Sequence, residues 1–320
     1  MADYGEMSVS VHEADLFEGF RGRLEAIAYR LLGSAGDAED AVQEAFLRWH
    51  ATDRERIQTP EAWLTKVLTN LCLNQLTSAR SRRETYVGQW LPEPVLAGDR
   101  MLGPAETVEQ RESVSFAMLT LMERLTPNER VVYVLREAFG YSHGEIAEIL
   151  DTTDVNCQQI YRRAKQHLAG GRARREIDEV AARRLVEQFL AAAVSGETGT
   201  LVELLTDDSI TAGDGGDWIR TLPDPVAGAL RAARFLHGRL APDARKRELF
   251  GGSPAVFAAI VNDDPAVVLV LDGRVVAVAC LKVTADGIEA VHGQANPAKL
   301  GRITRAWAAA EHGEPLMTIW

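Results

Sequence analysis

The sequence predicts a multidomain chain: two all-helical units, the second holding a helix-turn-helix, followed by an α+β unit. Three observations carry this. Apolar residues recur at three- and four-residue spacing through 14–84 and again through 112–170. Helix-start signals at Thr126, Ser142 and Thr153 bracket a very short helix and a longer one. Beyond residue 194 the period becomes that of strands, with Asp-Gly pairs between β-rich runs.

A tail, 1–13, precedes the first helical unit, 14–84. Leu24, Ile27, Ala28 and Leu31 make one inward face, and Ala41, Val42, Ala45, Phe46 and Trp49 another. Gly33-Ser34 breaks the run, and the next helix is expected to open at Asp37. Thr59-Pro60-Glu61 opens a third helix, with Thr as N-cap, Pro at the first position and an acid in the first turn. Its inward side is Leu64, Val67, Leu68 and Leu71. Residues 85–110 form a linker. Trp90-Leu91-Pro92-Glu93-Pro94, Gly98, Gly103 and Pro104 forbid a regular helix, while Trp90 and Leu91 predict that it docks on something.

The second helical unit spans 111–172. Thr126-Pro127-Asn128-Glu129 and Ser142-His143-Gly144-Glu145 are capping boxes. The short helix Glu145–Leu150, the turn Asp151-Thr152-Thr153 and a helix from Asp154 make the helix-turn-helix pattern. The remainder, 173–320, begins with a helix over 176–194, with Ile177, Val180, Ala181, Leu185, Phe189 and Leu190 inward. Strands follow at Ala266–Leu271, Arg274–Val283 and Ile288–Val291. Asp272-Gly273 and Asp286-Gly287 between them fit type I′ turns.

The chain has 320 residues, 46% hydrophobic and 25% charged, the profile of a globular protein. It holds no apolar run of membrane-spanning length, and Met1–Ser10 lacks the apolar core of a signal peptide, so a cytoplasmic protein is expected. Cys72, Cys157 and Cys280 are far apart and read as buried free thiols; the histidines show no ligand spacing, and no metal or cofactor is expected. The net charge of −11 argues against general nucleic-acid binding, but the charge is segregated. Residues 161–175 carry Arg162, Arg163, Lys165, Arg172, Arg174 and Arg175 and no acid, and 80–83 is a second basic knot. Acids gather at 37–44 and 203–224. This fits defined phosphate contacts on a chain with a protein partner elsewhere.

Three stretches carry function. Asp37, Asp40 and Glu44 share one helical face, which costs the isolated helix stability and points to a basic partner; a solvated acidic face is the simpler account of that helix alone. On the 59–83 helix, Asn70 and Asn74 lie one turn apart, with Lys66 before them and Arg80, Arg82 and Arg83 after. Such groups read base edges and neutralise phosphates, or simply solvate a surface. In the helix-turn-helix, Asn156, Gln158 and Gln159 stand at the end that enters a major groove, and Arg162, Arg163 and Lys165 suit the backbone.

The order and spacing of these stretches resemble the extracytoplasmic-function sigma factors. Residues 37–49, DAEDAVQEAFLRW, resemble that family's polymerase-binding helix, which implies contacts by Asp37, Asp40, Gln43, Glu44, Phe46 and Trp49. TPEAWLTKVLTNLCLNQL resembles its minus-ten helix, implying Trp63, Lys66, Asn70 and Asn74 there, with Asn74 where Asp is more usual. A base-catching loop would fall at His50–Gln58. LTPNERVVYVLREAFGYSHGEIAEIL resembles the fourth sigma domain, which reads the minus-thirty-five element. The rest resembles the SigJ-type subgroup, with a SnoaL-like, NTF2-fold extension that wraps a curved sheet around a pocket. Trp90 to Pro94, including Pro92, matches its linker motif, and Asn296-Pro297-Ala298-Lys299-Leu300 its C-terminal one. Asp214-Gly215-Gly216-Asp217-Trp218 resembles its Asp-Gly-Gly-Gly-Lys motif, with Asp217 for Gly and Trp218 for Lys, a loss of positive charge.

The resemblance implies core RNA polymerase and promoter DNA as partners and an extension that regulates in cis. The 214–218 and 296–300 segments are then expected to face the sigma core, and a small molecule in the pocket is an open partner. An enzymatic extension would need Asp214 as general base, against the plainer reading of an Asp in an exposed Gly-rich turn. His237 and His292 are candidates to line the pocket. No catalytic residue is assigned. The runner-up function is a helix-turn-helix regulator with a ligand-sensing domain, which would not need the 37–44 and 59–83 helices.

Overall fold

The computed structural model describes residues 11–53, 57–83, 86, 88–104, 107–169, 175 and 178–320, with side chains from 16 onward and excluding those of 79–83. Ile177, Arg172, Arg174 and the side chains of Arg80, Arg82 and Arg83 therefore lie outside the described residues.

Helices α1 (Val11–Leu32), α2 (Ala35–Ala51) and α3 (Pro60–Arg83) form the first unit. Gly33 ends α1 at φ +68°, and a Cβ there would stand 2.9 Å from the Trp90 ring, so only glycine admits both the turn and the linker. Ser34 caps α2 by accepting the Asp37 N–H, so the helix opens two residues before Asp37, the expected start. After a short α4 (Val108–Glu112) and α5 (Phe116–Leu121) come α6 (Pro127–Glu137), α7 (His143–Ile149) and α8 (Asp154–Leu168). Both expected capping boxes close, at Thr126/Glu129 and Ser142/Glu145, and Thr153 accepts from Asn156 N. The two helical units share one core, in which Leu31 and Leu68 join Val131, Leu135, Ile146 and Ile160.

The C-terminal unit opens with α9 (Glu179–Ser195) and α10 (Thr198–Leu204), then β1 (Leu205–Asp214), β2 (Val226–Ala227), α11 (Ala229–Leu240) and α12 (Ala244–Phe250). A meander follows: β3 (Ala255–Val261), β4 (Asp264–Leu271), β5 (Arg274–Thr284) and β6 (Gly287–Gln294), then α13 (Gly301–Ala309) and β7 (Met317–Thr318). The described strands make one sheet, ordered β2-β1-β6-β5-β4-β3-β7. β1 pairs parallel with β6, and the other pairs are antiparallel.

Strand alternation gives the sheet two apolar faces. Val267, Leu269 and Leu281 meet Phe189, Leu190 and Leu236 of α9 and α11. Val268, Val278 and Cys280 meet Leu91 of the linker, Phe116 of α5 and Leu300 with α13. The second face of the sheet is thus covered partly by the linker and the second helical unit.

Several expectations are corrected. The inward face of α9 is Ala182, Val186, Phe189, Leu190 and Ala193; Val180 is 61% exposed and Ala181 is also outside, because the helix starts at Glu179 and is rotated from the expected phase. Asp272 and Gly273 both have positive φ, as a type I′ turn requires, but Asp286 does not, and a register shift at Lys282/Val283 accommodates that turn instead. The β3–β4 turn is Asn262-Asp263, φ +51° and +63°, a pair without glycine that the Asp-Gly signal missed. All three cysteines are free and buried.

Asn262 joins all three units. Its Oδ1 accepts from Val95 N at 2.9 Å, its Nδ2 donates to Tyr29 Oη at 2.7 Å and to Val114 O at 3.1 Å, and its own N–H bonds Val95 O at 2.8 Å. It is fully buried, so each lost bond strands a polar group. Asn262→Ala is expected to cost about 3 kcal/mol and lower Tm by roughly 5–10 °C, whereas Asp272→Ala in the exposed neighbouring turn should cost far less. Thermal unfolding of the two variants checks this.

Candidate nucleic-acid interface and linker clamp

On α8, Asn156, Gln159, Arg162 and Arg163 are exposed, and the buried side is Cys157, Ile160 and Ala164. Gln158 is half-buried and donates to Asp154 at 3.2 Å. Asn156 donates to Thr152 Oγ1 at 2.9 Å. Lys165 lies 3.6 Å from Glu137 and over the Tyr161 ring. The solvent side of α8 therefore presents amides at its N-terminal end and guanidinium groups one to two turns on.

On α3, Asn70 and Asn74 are exposed, one turn apart as their spacing requires. Lys66 points elsewhere: its Nζ donates to Glu148 O at 2.9 Å and pairs with Asp151 at 2.5 Å, in the helix-turn-helix. Trp63 packs at a tilt against Trp49, ring centres 5.7 Å apart, and with Thr52, Asp53, Ile57, Gln58 and Thr59 lines a surface hollow at the expected base-catching loop. Residues 54–56 of that loop lie outside the described residues.

On α2, Asp37, Asp40 and Gln43 are exposed and Glu44 pairs with Arg48. Trp49 is buried at 4% exposure and Phe46 packs on Phe17 at 4.9 Å. Trp49 is thus a core residue that holds the acidic face in place, a correction to its expected surface role; amphipathic spacing puts it on the side opposite Asp40.

The linker and the C-terminal unit meet in a built polar site. Asp214, the last residue of β1, is 1% exposed, not in an exposed turn. Its Oδ1 accepts from Tyr86 Oη at 2.7 Å and Gly216 N at 3.0 Å. Its Oδ2 accepts from Leu91 N at 3.1 Å, Gln294 Nε2 at 3.3 Å and Lys299 Nζ at 2.7 Å. Burial alone would raise this carboxyl, but the Lys299 charge and the donated hydrogen bonds outweigh it and hold it below the ordinary range. With five donors on two oxygens, no lone pair remains for general-base chemistry.

Lys299 also donates to Leu91 O at 2.7 Å and sits 4.1 Å from the Trp90 ring centre. Gln294 donates to Leu91 O and Pro92 O, and Asn296 to Tyr86 Oη at 2.8 Å. Gly216 has φ +55°, and a Cβ would stand 2.6 Å from Asn296, while one on Gly215 would collide with Ile219. Pro92, Pro94 and Leu300 are buried; Pro297 is exposed and only starts the turn that aims Lys299. Trp218 packs edge-on against Phe250 at 4.9 Å, and the cation beside Asp214 is Lys299. The 214–216 and 296–300 segments thus grip the linker directly, and Leu300 shares the apolar cluster of Leu91 and Phe116.

On its other side the linker grips α2. Glu93 accepts from Ser34 Oγ at 2.7 Å and Ala35 N at 3.1 Å, and Tyr29 Oη donates to Glu93 O at 2.7 Å. Arg302 of α13 pairs with Asp99 and with Glu39 of α2. Sequence reasoning missed Tyr86, Asn262, Gln294 and Arg302, whose only local signal is a polar residue beside an apolar run; Glu93 lay within the linker motif but was given no role.

A cavity of about 200 Å³ lies inside the C-terminal unit, between the sheet and α9, α11 and α12. Asp214 and Gln294 are in its wall. His237 and His292 are not: His237 Nδ1 bonds Ala193 O at 2.8 Å, and His292 is buried against Phe116. Among the described residues no group of His, Cys, Asp and Glu could hold a metal, and no helix is long and apolar enough to cross a membrane.

Comparison with known proteins gives concordant matches. A model of sigma-70 region 2 matches residues 16–82 and one of sigma-70 region 4 matches 115–168. The chain is 39% identical over 227 residues to the ECF RNA polymerase sigma factor SigJ of Mycobacterium tuberculosis, covering 71% of this chain and 72% of that protein. It is 34% identical over 191 residues to a probable ECF RNA polymerase sigma factor, SigI, of the same species, covering 58% and 64%. The crystal structure of M. tuberculosis SigJ aligns with a TM-score of 0.68 at 33% identity, over 89% of this chain and 97% of that one.

The buried Asp214–Lys299 pair is expected to couple strongly. A double-mutant cycle of Asp214→Asn and Lys299→Met, read by thermal unfolding, should give a coupling of about 2 kcal/mol. Because the folded pKa of Asp214 is depressed, that stability is fully present above the unfolded carboxyl value near 3.9 and lost as pH falls through the lower folded value. The coupling should therefore be constant from about pH 5 to pH 8.

Proposed function

The chain belongs to the ECF RNA polymerase sigma factors, and from that premise we propose that its C-terminal unit regulates it in cis by clamping the linker between the two sigma domains. As an alternative sigma factor it serves core RNA polymerase and promoter DNA in transcription initiation. The family rests on residues 16–82 and 115–168, which a helix-turn-helix repressor would not carry together, so that reading is not favoured. We assign polymerase contact to the exposed acids Asp37 and Asp40 with Gln43 and Glu44. Minus-ten contact falls to Asn70 and Asn74, with Lys66 once freed and Arg80, Arg82 and Arg83 beyond. Minus-thirty-five contact falls to Asn156, Gln159, Arg162 and Arg163, with Gln158 and Lys165 at the edge. The work of such a protein is in the cytoplasm, and its extension is a regulatory rather than a catalytic unit, since Asp214 has no free lone pair.

One observation carries the clamp. Lys66 of the minus-ten helix touches Asp151, three residues before the minus-thirty-five helix. That helix is 15 residues long, roughly 22 Å at 1.5 Å per residue. Promoter elements centred about 25 base pairs apart lie roughly 85 Å apart along B-DNA at 3.4 Å per step. The closed arrangement cannot serve both elements, so the domains must separate on polymerase. The Lys66–Asp151 pair is too exposed to hold them, being worth under about 1 kcal/mol. The buried contacts of the linker with Asp214, Gln294, Lys299 and Asn262, and the shared helical core, are the stronger restraint. Release of the linker favours the open form by the differential binding that any two-state switch requires.

The test uses full-length protein, sigma-free bacterial core polymerase and the chain's own promoter. Lys299→Met is expected to bind core several-fold tighter than the parent. Gln159→Ala/Arg162→Ala should bind core as the parent does but lose tenfold or more in promoter-specific initiation, in line with about 1–3 kcal/mol per base-reading contact. Unchanged core affinity in Lys299→Met would remove the clamp; unchanged initiation by the α8 variant would remove the recognition assignment.

A further inference from the structure

The C-terminal cavity has a chemical polarity that the clamp does not use. Its walls are apolar, from Phe189, Leu236, Val267, Leu269 and Val291. Its rim carries two cations, Arg239 at the end of α11 and Lys246 on α12. Neither makes an ion pair among the described residues. Arg239 has one long hydrogen bond, 3.4 Å to Arg220 O, and Lys246 donates to Ala241 O at 2.8 Å. Asp243, between the two in sequence, is occupied as the cap of α12, accepting from Arg245 N. Trp320 also lines the cavity, and its indole N–H is buried with no acceptor. Thr211 Oγ1, in the same wall, is likewise unpaired.

These features describe a missing partner: an apolar body with an anionic head that accepts hydrogen bonds. We propose that this cavity binds a small amphipathic carboxylate, with its chain against Phe189, Leu269 and Val291 and its carboxylate at Arg239, Lys246 and the Trp320 indole. A neutral apolar ligand would leave both cations and the indole as they are; a cationic one would be repelled. Partial desolvation against the cavity wall holds Arg239 below its ordinary pKa, and desolvation together with the Arg239 charge does the same for Lys246 despite Asp243, a cost that a bound anion relieves. Size sets the chain: a dry cavity of about 150 Å³ accommodates benzene, so the slightly larger one here suits a buried body of roughly eight carbons, with the carboxylate end of a decanoate-length chain reaching the rim. The ligand would lie against Asp214 and Gln294, the residues that hold Leu91, yet the binding site stands whether or not the clamp regulates.

Full-length protein is titrated with decanoate, decanol and decyltrimethylammonium, followed by calorimetry and by tryptophan fluorescence. Decanoate is expected to bind one to one and at least tenfold tighter than decanol, the contribution of a charge-assisted hydrogen bond at a rim of this kind. The ammonium should not compete with it. Arg239→Gln/Lys246→Gln, on exposed and half-exposed positions outside the core, should lose that preference and keep the decanol affinity. Equal affinity for decanoate and decanol, no saturable decanoate binding up to about a millimolar, or an unchanged preference in the double variant would each overturn the proposal. None of these outcomes bears on core polymerase binding.

Discussion

The constraint on which the structure depends is the burial of an irregular segment. Residues 89–95 run between the first helical unit and one face of the sheet, and a buried non-helical backbone must find a partner for every N–H and C=O. The partners come from far away in sequence. Asp214 takes Leu91 N, Gln294 and Lys299 take Leu91 O, Gln294 takes Pro92 O, and Asn262 takes Val95 N and O. The prolines at 92 and 94 remove two donors that would otherwise need acceptors. Remove any one of these side chains and the segment loses a bond that water cannot replace without opening the interface.

This makes the linker the hub of the chain rather than a tether. Glu93 caps α2, Tyr29 touches both Glu93 and Asn262, and Asn262 reaches Val114 just ahead of α5. Phe116 then enters the sheet core, with its N–H on Asp264. Two buried arginines extend the same logic into the helices. Arg30, its pKa pushed down to about 10 by burial, bonds Ser113 and Leu102 O, and Arg130, down to about 9, bonds Arg30 O and pairs with Glu123. Groups this expensive to bury hold one arrangement and penalise partial ones, so domain separation is expected to be cooperative. The exposed ion pairs, such as Lys66–Asp151, follow that arrangement rather than impose it.

The surfaces proposed for polymerase and DNA are carried on the opposite, solvated sides of the same helices. Their geometry needs little from the C-terminal unit. Asn70 and Asn74 are adjacent because they are one turn apart; Gln159 and Arg162 are exposed because Cys157, Ile160 and Ala164 are buried. On the proposed reading, regulation and recognition are separable in this chain, the one sited in the linker and its polar partners, the other on three helices.

What the sequence determined by itself was local. The capping boxes at Thr126 and Ser142, the N-cap Thr153, the Asp272-Gly273 turn and the three meander strands follow from interactions between residues a few positions apart, which the chain carries wherever it folds. The family motifs also singled out Trp90–Pro94, Asp214 and Lys299, which the fold brings into contact. Tertiary structure decided how they combine. Asp214 read as a residue of an exposed glycine turn and is buried at a strand end, because its partners lie at 86, 91, 294 and 299. The phase of α9 and the Asn262-Asp263 turn escaped for the same reason. The cavity with its two cations was likewise invisible, because α11, α12 and the sheet contribute to it from separate parts of the chain. Burial is a property of the whole fold, and whether a polar residue is solvated, paired or stranded is settled only when distant segments exclude water from it.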